Sequence, residues 1–249
     1  MAKRPRACAL SKPTRICLVG ATGLVGEALI RACVGRSDVK LVAVSRNECD
    51  LPQGARMEVL LAPTTGWEDA IAAAQPDTVV CALGTTWKKA GKDEAQFRLV
   101  DERLVLDCAK WGMAAGAKQF IHISSVGANR ASKHIYPRVK GEVEDQLARM
   151  HMPRLDIIRP GLLLGDRKEL RPLERIGQIV APLIDLFLRG KRERYRSIHV
   201  EVLAEAILAL SLQKARGRFL YEHSEILRAI RRQALETSVR RAVHGVAVE

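Results

Sequence analysis

The stretch Ile16-Cys-Leu-Val-Gly-Ala-Thr-Gly-Leu-Val-Gly26 constrains the fold more than any other part of this chain. Its apolar run suits a strand buried on both faces, and it leads directly into glycines at every third position. Each glycine meets a steric need. Gly20 permits a tight turn, Gly23 lets a ligand's phosphates approach the backbone, and Gly26 allows close helix–strand contact. A helix starting near Gly23 turns free N–H groups and a positive dipole end toward an anion. Thr22, Leu24 and Val25 then border that anion. The spacing is that of a dinucleotide site; an ordinary glycine-containing strand–helix turn is the alternative.

The rest of the chain favours the first reading. Short apolar runs at 15–19, 39–45, 57–61, 77–82, 118–123 and 154–159 alternate with helical patterns at 24–35, 67–74, 93–115 and 137–150. Such alternation predicts an α/β Rossmann fold, a doubly wound parallel sheet with helices on both faces. Its ligand belongs beyond the carboxyl ends of the strands. After Pro160 the pattern changes to two apolar-faced helices, 172–189 and 199–213, the first interrupted by Pro182. These read as a small helical cap over the cleft. The chain divides into a disordered basic tail (1–14), a nucleotide-binding domain (15–227, cap 160–215) and a basic extension (228–249).

Charge bears on the choice of partner. Of a net +13, +5 lies in residues 1–15 and +3 in residues 228–249, so the excess sits mainly in the tails. Without a zinc-finger, RRM-like or basic-zipper pattern, this distribution argues against nucleic acid. The tails read as solvated segments; a peripheral membrane contact or a protein partner is the alternative. The six cysteines (8, 17, 33, 49, 81, 108) form no Cys-x-x-Cys pair and read as reduced thiols of a cytoplasmic protein. There is no run of 18 apolar residues and no signal-peptide pattern. The histidines show no metal spacing, and His122 reads as a satisfied core residue.

Beyond the second strand the chain places Arg46 where an NAD site usually carries an acid for the ribose hydroxyls. With no acid at 45 or 46, NADP(H) is expected over NAD(H). About 110 residues after the glycine turn come Tyr136 and, four positions on, Lys140. On a helix they share a face, and Pro137 suits a helix start. An ammonium about 4 Å from a phenol contributes on the order of 4 kcal/mol at an effective dielectric of about 20. That lowers the tyrosine pKa by about a unit or more and fits it for proton transfer. Upstream, Phe120-Ile-His-Ile-Ser-Ser-Val-Gly127 is a strand ending in two serines. Ser125 is expected to orient a substrate carbonyl, and Ser124 to hydrogen-bond at the strand end. Asp101 reads either as a brace behind this strand or as a plain surface carboxylate.

These motifs resemble the extended or atypical short-chain dehydrogenase superfamily. Ala82-Leu-Gly-Thr-Thr86 with Lys89-Ala-Gly91, Tyr136-Pro-Arg-Val-Lys-Gly-Glu-Val-Glu144 and Arg159-Pro-Gly-Leu-Leu-Leu-Gly-Asp-Arg167 narrow it. They are similar to the Tat-interacting-protein oxidoreductase group, over about residues 15–227. The resemblance implies NADPH binding, with Leu83 and Gly84 against the cofactor, Leu163 near the nicotinamide and Arg171 as a further contact. Trp87, Lys88 and the basic extension depart from it. The expected activity is NADP(H)-dependent hydride transfer on a small carbonyl or alcohol, assisted by Tyr136, Lys140 and Ser125. A cofactor-binding regulatory protein with little turnover is the alternative, and a nucleotide-sugar epimerase or dehydratase ranks third.

Overall fold

The structure, a computed structural model, describes residues 12–165 and 190–245. In chain order, β1 (Thr14–Val19), α1 (Leu24–Ala32), β2 (Val39–Ser45) and β3 (Glu58–Leu61) come first. Next are α2 (Trp67–Ala74), β4 (Thr78–Cys81), α3 (Glu94–Arg98) and α4 (Leu104–Ala114), the last two joined by a π-helical turn at Leu99–Arg103. β5 (Gln119–Ile123), α5 (Ile135–Ala148), β6 (Arg154–Ile158) and β7 (Leu163–Leu164) follow. Beyond the undescribed stretch lie β8 (Ile198–His199), α6 (Val200–Ser211), β9 (Gly217–Tyr221) and α7 (His223–Gly245).

Seven strands form one parallel sheet in the order β3-β2-β1-β4-β5-β6-β9. The order reverses between β1 and β4, where the chain diverges to opposite sides and leaves a crevice. The pleat sorts alternate residues of β1 to the two faces: Ile16 and Leu18 pack with α1, α6 and the start of α7. Cys17 and Val19 pack on the other face with α2, α4 and α5.

The expected doubly wound sheet is present, with three revisions. First, α6, read as half of a cap, belongs to the core. Nine of its twelve residues are buried and it packs against α1. The reason is β9, which pairs in parallel with β6 and therefore needs a crossover, and α6 lies in that crossover. β9 itself escaped notice because an edge strand with an exposed Arg218 lacks a continuous apolar run. Second, the boundary at 227/228 falls inside α7, where Ile226 and Ala229 are core residues. Third, α5 starts two residues earlier than expected, which brings Tyr136 into the same helix as Lys140. The segment 172–189 and Arg171 lie outside the described residues. No described helix is long and apolar enough to cross a membrane.

Candidate functional site

A cavity of about 510 Å³ opens at the carboxyl ends of β1, β4 and β5. One wall is the glycine turn. Gly20 has φ +94°, and a Cβ there would stand 2.7 Å from the carbonyl of Ala82. A Cβ on Gly26 would meet the Gly20 carbonyl oxygen at 2.2 Å, so both glycines are required by the protein's own packing. Gly23 differs: its nearest neighbour would be the Gly20 oxygen at 3.4 Å, an ordinary contact. Its backbone instead borders the cavity with Thr22, Leu24 and Val25. Gly23 caps α1 without any side-chain acceptor for the first-turn N–H groups. Uncapped amides facing a cavity suit an anion such as a pyrophosphate.

The second wall follows β4. Leu83 and Gly84 line the cavity as expected, together with Thr85, Thr86 and Lys89, and Leu163 of β7 closes one side. Trp87 does not reach the cavity wall; its ring packs edge-on against Phe97 at 6.1 Å, and Phe97 lies 5.8 Å from the ring of Tyr136. Arg46 is exposed just past β2 and does not line the cavity.

The third wall is α5. Tyr136 is 38% exposed and Lys140, one turn on, only 2%. Both border the cavity. The Lys140 ammonium lies 2.9 Å from Oδ1 of Asp101, which is itself fully buried. At this distance the two buried groups form an ion pair. The other carboxylate oxygen accepts from the Thr85 N–H at 2.7 Å. Burial by itself lowers the Lys140 pKa, but Asp101 and Tyr136 outweigh it and hold the ammonium above the ordinary lysine range. The Coulomb estimate for a lone ammonium beside Tyr136 therefore needs revision, since a carboxylate directly behind Lys140 offsets part of the field.

Asp101 is the main residue that sequence reasoning left undecided. Phe97, Asp101, Val105 and Ala109 recur at i, i+4 spacing and all are buried, so an acid at a core position was the available signal.

The two serines separate by their partners. Ser124 lines the cavity, but its hydroxyl donates to Glu144 Oε1 at 2.5 Å. Glu144 is buried one turn beyond Lys140 and pairs with Arg159, whose guanidinium donates to both of its carboxylate oxygens. Ser125 is half-buried and makes only a 3.3 Å contact from Oγ to the Val126 carbonyl; it is not on the cavity wall. His122 is buried but not satisfied: neither ring nitrogen has a partner among the described residues. Burial, and then the Lys140 charge, push its pKa well below the ordinary value. The five described cysteines are unpaired thiols.

Comparison with known proteins agrees with this fold. A family model described as NAD(P)H-binding matches residues 20–166. The chain is 30% identical over 209 residues to the mitochondrial protein fmp52 of Aspergillus niger, covering 81% of this chain and 88% of the relative. It is 36% identical over 162 residues to rat HTATIP2, covering 63% of this chain and 66% of the relative. Among solved structures, the Bordetella bronchiseptica enzyme WbmG in complex with NAD and UDP has a TM-score of 0.63 at 18% identity, with 85% and 74% of the chains covered. Epimerase Mth375 of Methanothermobacter thermautotrophicus has a TM-score of 0.64 at 16% identity, with 85% and 72% covered. These structures share the fold. The names of the relatives correct one expectation, that of a cytoplasmic protein: fmp52 from Aspergillus niger, Emericella nidulans and Candida albicans is named mitochondrial. Cysteine spacing reports redox state, which compartments can share, so it could not assign one.

Proposed function

This chain belongs to the NAD(P)H-binding family, and we propose that it works there as an NADP(H)-dependent oxidoreductase on a small carbonyl or alcohol. The observation that carries this reading is a single cavity bordered by the uncapped helix start at Gly23, the Leu83–Gly84 strand end and the pair Tyr136 and Lys140. When bound, the nicotinamide supplies or takes up the hydride at the carbonyl carbon. The first-turn amides of α1 would hold the pyrophosphate, and Leu83, Gly84 and Leu163 would bound the rest of the cofactor. Tyr136 gives its hydroxyl proton to the carbonyl oxygen in reduction and takes it back in oxidation. Lys140 carries three N–H donors, so with one directed at Asp101 the others are available for the nicotinamide ribose. Ser124 lines the cavity but directs its proton to Glu144, and Ser125, off the cavity wall, would have to turn its hydroxyl away from the Val126 carbonyl to reach a substrate.

Arg46 and the lack of an acid at positions 45 and 46 support NADP(H) over NAD(H). Calorimetric titration with each reduced cofactor tests this. NADPH should bind more tightly, and Arg46→Ala should weaken NADPH far more than NADH; equal losses would remove Arg46 from cofactor selection. Tyr136→Phe should abolish NADPH-dependent carbonyl reduction and leave NADPH affinity nearly unchanged. Tight NADPH binding without reduction of any carbonyl in a broad screen would move the assignment to a cofactor-sensing regulatory protein.

A further inference from the structure

Asp101 is fully buried in the π-helical turn, a costly place for a carboxylate unless it is paired. It reaches two parts of the cavity at once. Oδ1 meets the Lys140 ammonium at 2.9 Å, and Oδ2 accepts from the N–H of Thr85 at 2.7 Å. The same acid also packs close to Gly84, where a Cβ would stand 3.6 Å from Oδ1. One side chain thus ties the loop after β4 to the lysine of the proton-transfer pair. π-turns of this kind recur at functional sites.

We propose that Asp101 is a positioning residue that sets the charge of Lys140 and, through it, the order in which Lys140 and Tyr136 lose their protons. The proposal rests on the reading of Tyr136 and Lys140 as that pair. The groups facing Lys140 are Tyr136 from its own helix, Cys81 at the end of β4, His122 of β5 and Asp101. Asp101 is the one carboxylate in this set. Tyrosine ordinarily ionises only in the alkaline range and burial keeps His122 neutral; Cys81, held below the ordinary thiol value by its hydrogen bond with Cys108, acts on Lys140 less than Asp101 does. An ammonium this deep discharges readily without a counterion, because water no longer stabilises its charge. With Asp101 present, Lys140 stays charged and the first proton to leave the pair comes from Tyr136. With Asp101 neutral, burial is opposed only by the weaker effects of Tyr136 and Cys81, and the first proton leaves from Lys140. Tyr136 then loses the cation that favours its phenolate and titrates later.

The test needs no substrate. The Lys140 side chain is followed by carbon-13 NMR of ε-labelled lysine, with Lys140→Met identifying its resonance. The Tyr136 phenolate is followed by ultraviolet absorbance, with Tyr136→Phe as the blank. In wild type, Lys140 should titrate above the ordinary lysine value. In Asp101→Asn, whose amide oxygen still accepts from Thr85, its midpoint should fall by at least about one pH unit and that of Tyr136 should rise. A melting point lowered with both titrations unmoved would make Asp101 purely structural and overturn the proposal. If Asp101→Asn does not fold, wild type decides alone: a Lys140 midpoint at or below the ordinary value overturns it. Shifted titrations in a protein that reduces no carbonyl would leave the control of Lys140 standing and remove the oxidoreductase reading.

Discussion

Gly23 and Gly26 carry the same sequence signal but answer to different masters. At Gly26 a methyl group would collide with the backbone of Gly20 and Ala21. Gly26→Ala should therefore destabilise the protein by roughly 1–3 kcal/mol, visible as a lower melting temperature with or without cofactor. At Gly23 the protein alone leaves room for a methyl group, on the cavity wall where the proposed cofactor phosphates would approach. Gly23→Ala should keep the wild-type melting temperature and lose NADPH affinity by calorimetry. A Gly23→Ala protein that binds NADPH normally would place the phosphates elsewhere. Sequence reading could anticipate the packing demand at Gly26 because it depends on local backbone geometry. It could not do the same for Asp101, whose role depends on a helix arriving from 39 residues further along the chain.

Helices show the same division at the next scale. The pattern over 93–115 is continuous in the sequence, yet the helix is interrupted by a π-turn that carries Asp101. Periodicity detects a buried face and is nearly blind to a single widened turn. α7 is a second case. Its first turns carry Ile226 and Ala229 into the core, while Leu235 and Val239 are 66% and 59% exposed. The basic composition therefore drew the domain boundary inside a helix whose first turns belong to the domain. A chain ended after residue 227 loses Ala229 and Ile230, which pack onto the α6 side of the sheet. It should lose about 2–5 kcal/mol in urea unfolding. A chain ended after residue 234 should unfold like wild type, and similar losses from both truncations would show that the outer helix also stabilises the domain.

For the molecule as a whole, stability against acid should depend on the centre of the sheet. His122 is fully buried in β5 with both ring nitrogens unpaired, and burial holds its folded pKa well below the ordinary value of 6.5. The unfolded chain takes up a proton near that ordinary value and the folded chain does not. This contribution to stability is thus intact above about pH 6.5 and is lost as pH falls below it. His122→Leu removes two unsatisfied polar atoms, so it should be neutral or stabilising near pH 7. Its urea midpoint should also fall less than that of wild type between about pH 7 and about pH 5. Equal acid sensitivity in the two proteins would mean that other groups dominate.

The chain's own residues determined the parallel sheet through six short apolar runs, and the glycine turn through spacing that only backbone sterics can demand. They also determined the nearness of Tyr136 and Lys140, because four residues on a helix is a local distance. The tertiary structure decided which neighbours those groups meet. β9 forms because β6 offers it an open edge, and α6 becomes core because the crossover between those strands must cover the sheet. Ser124 turns its proton to Glu144, and Lys140 acquires Asp101, across sequence separations of 20 and 39 residues. A periodic pattern reports which face of an element is buried; what lies opposite that face is decided only when the elements pack.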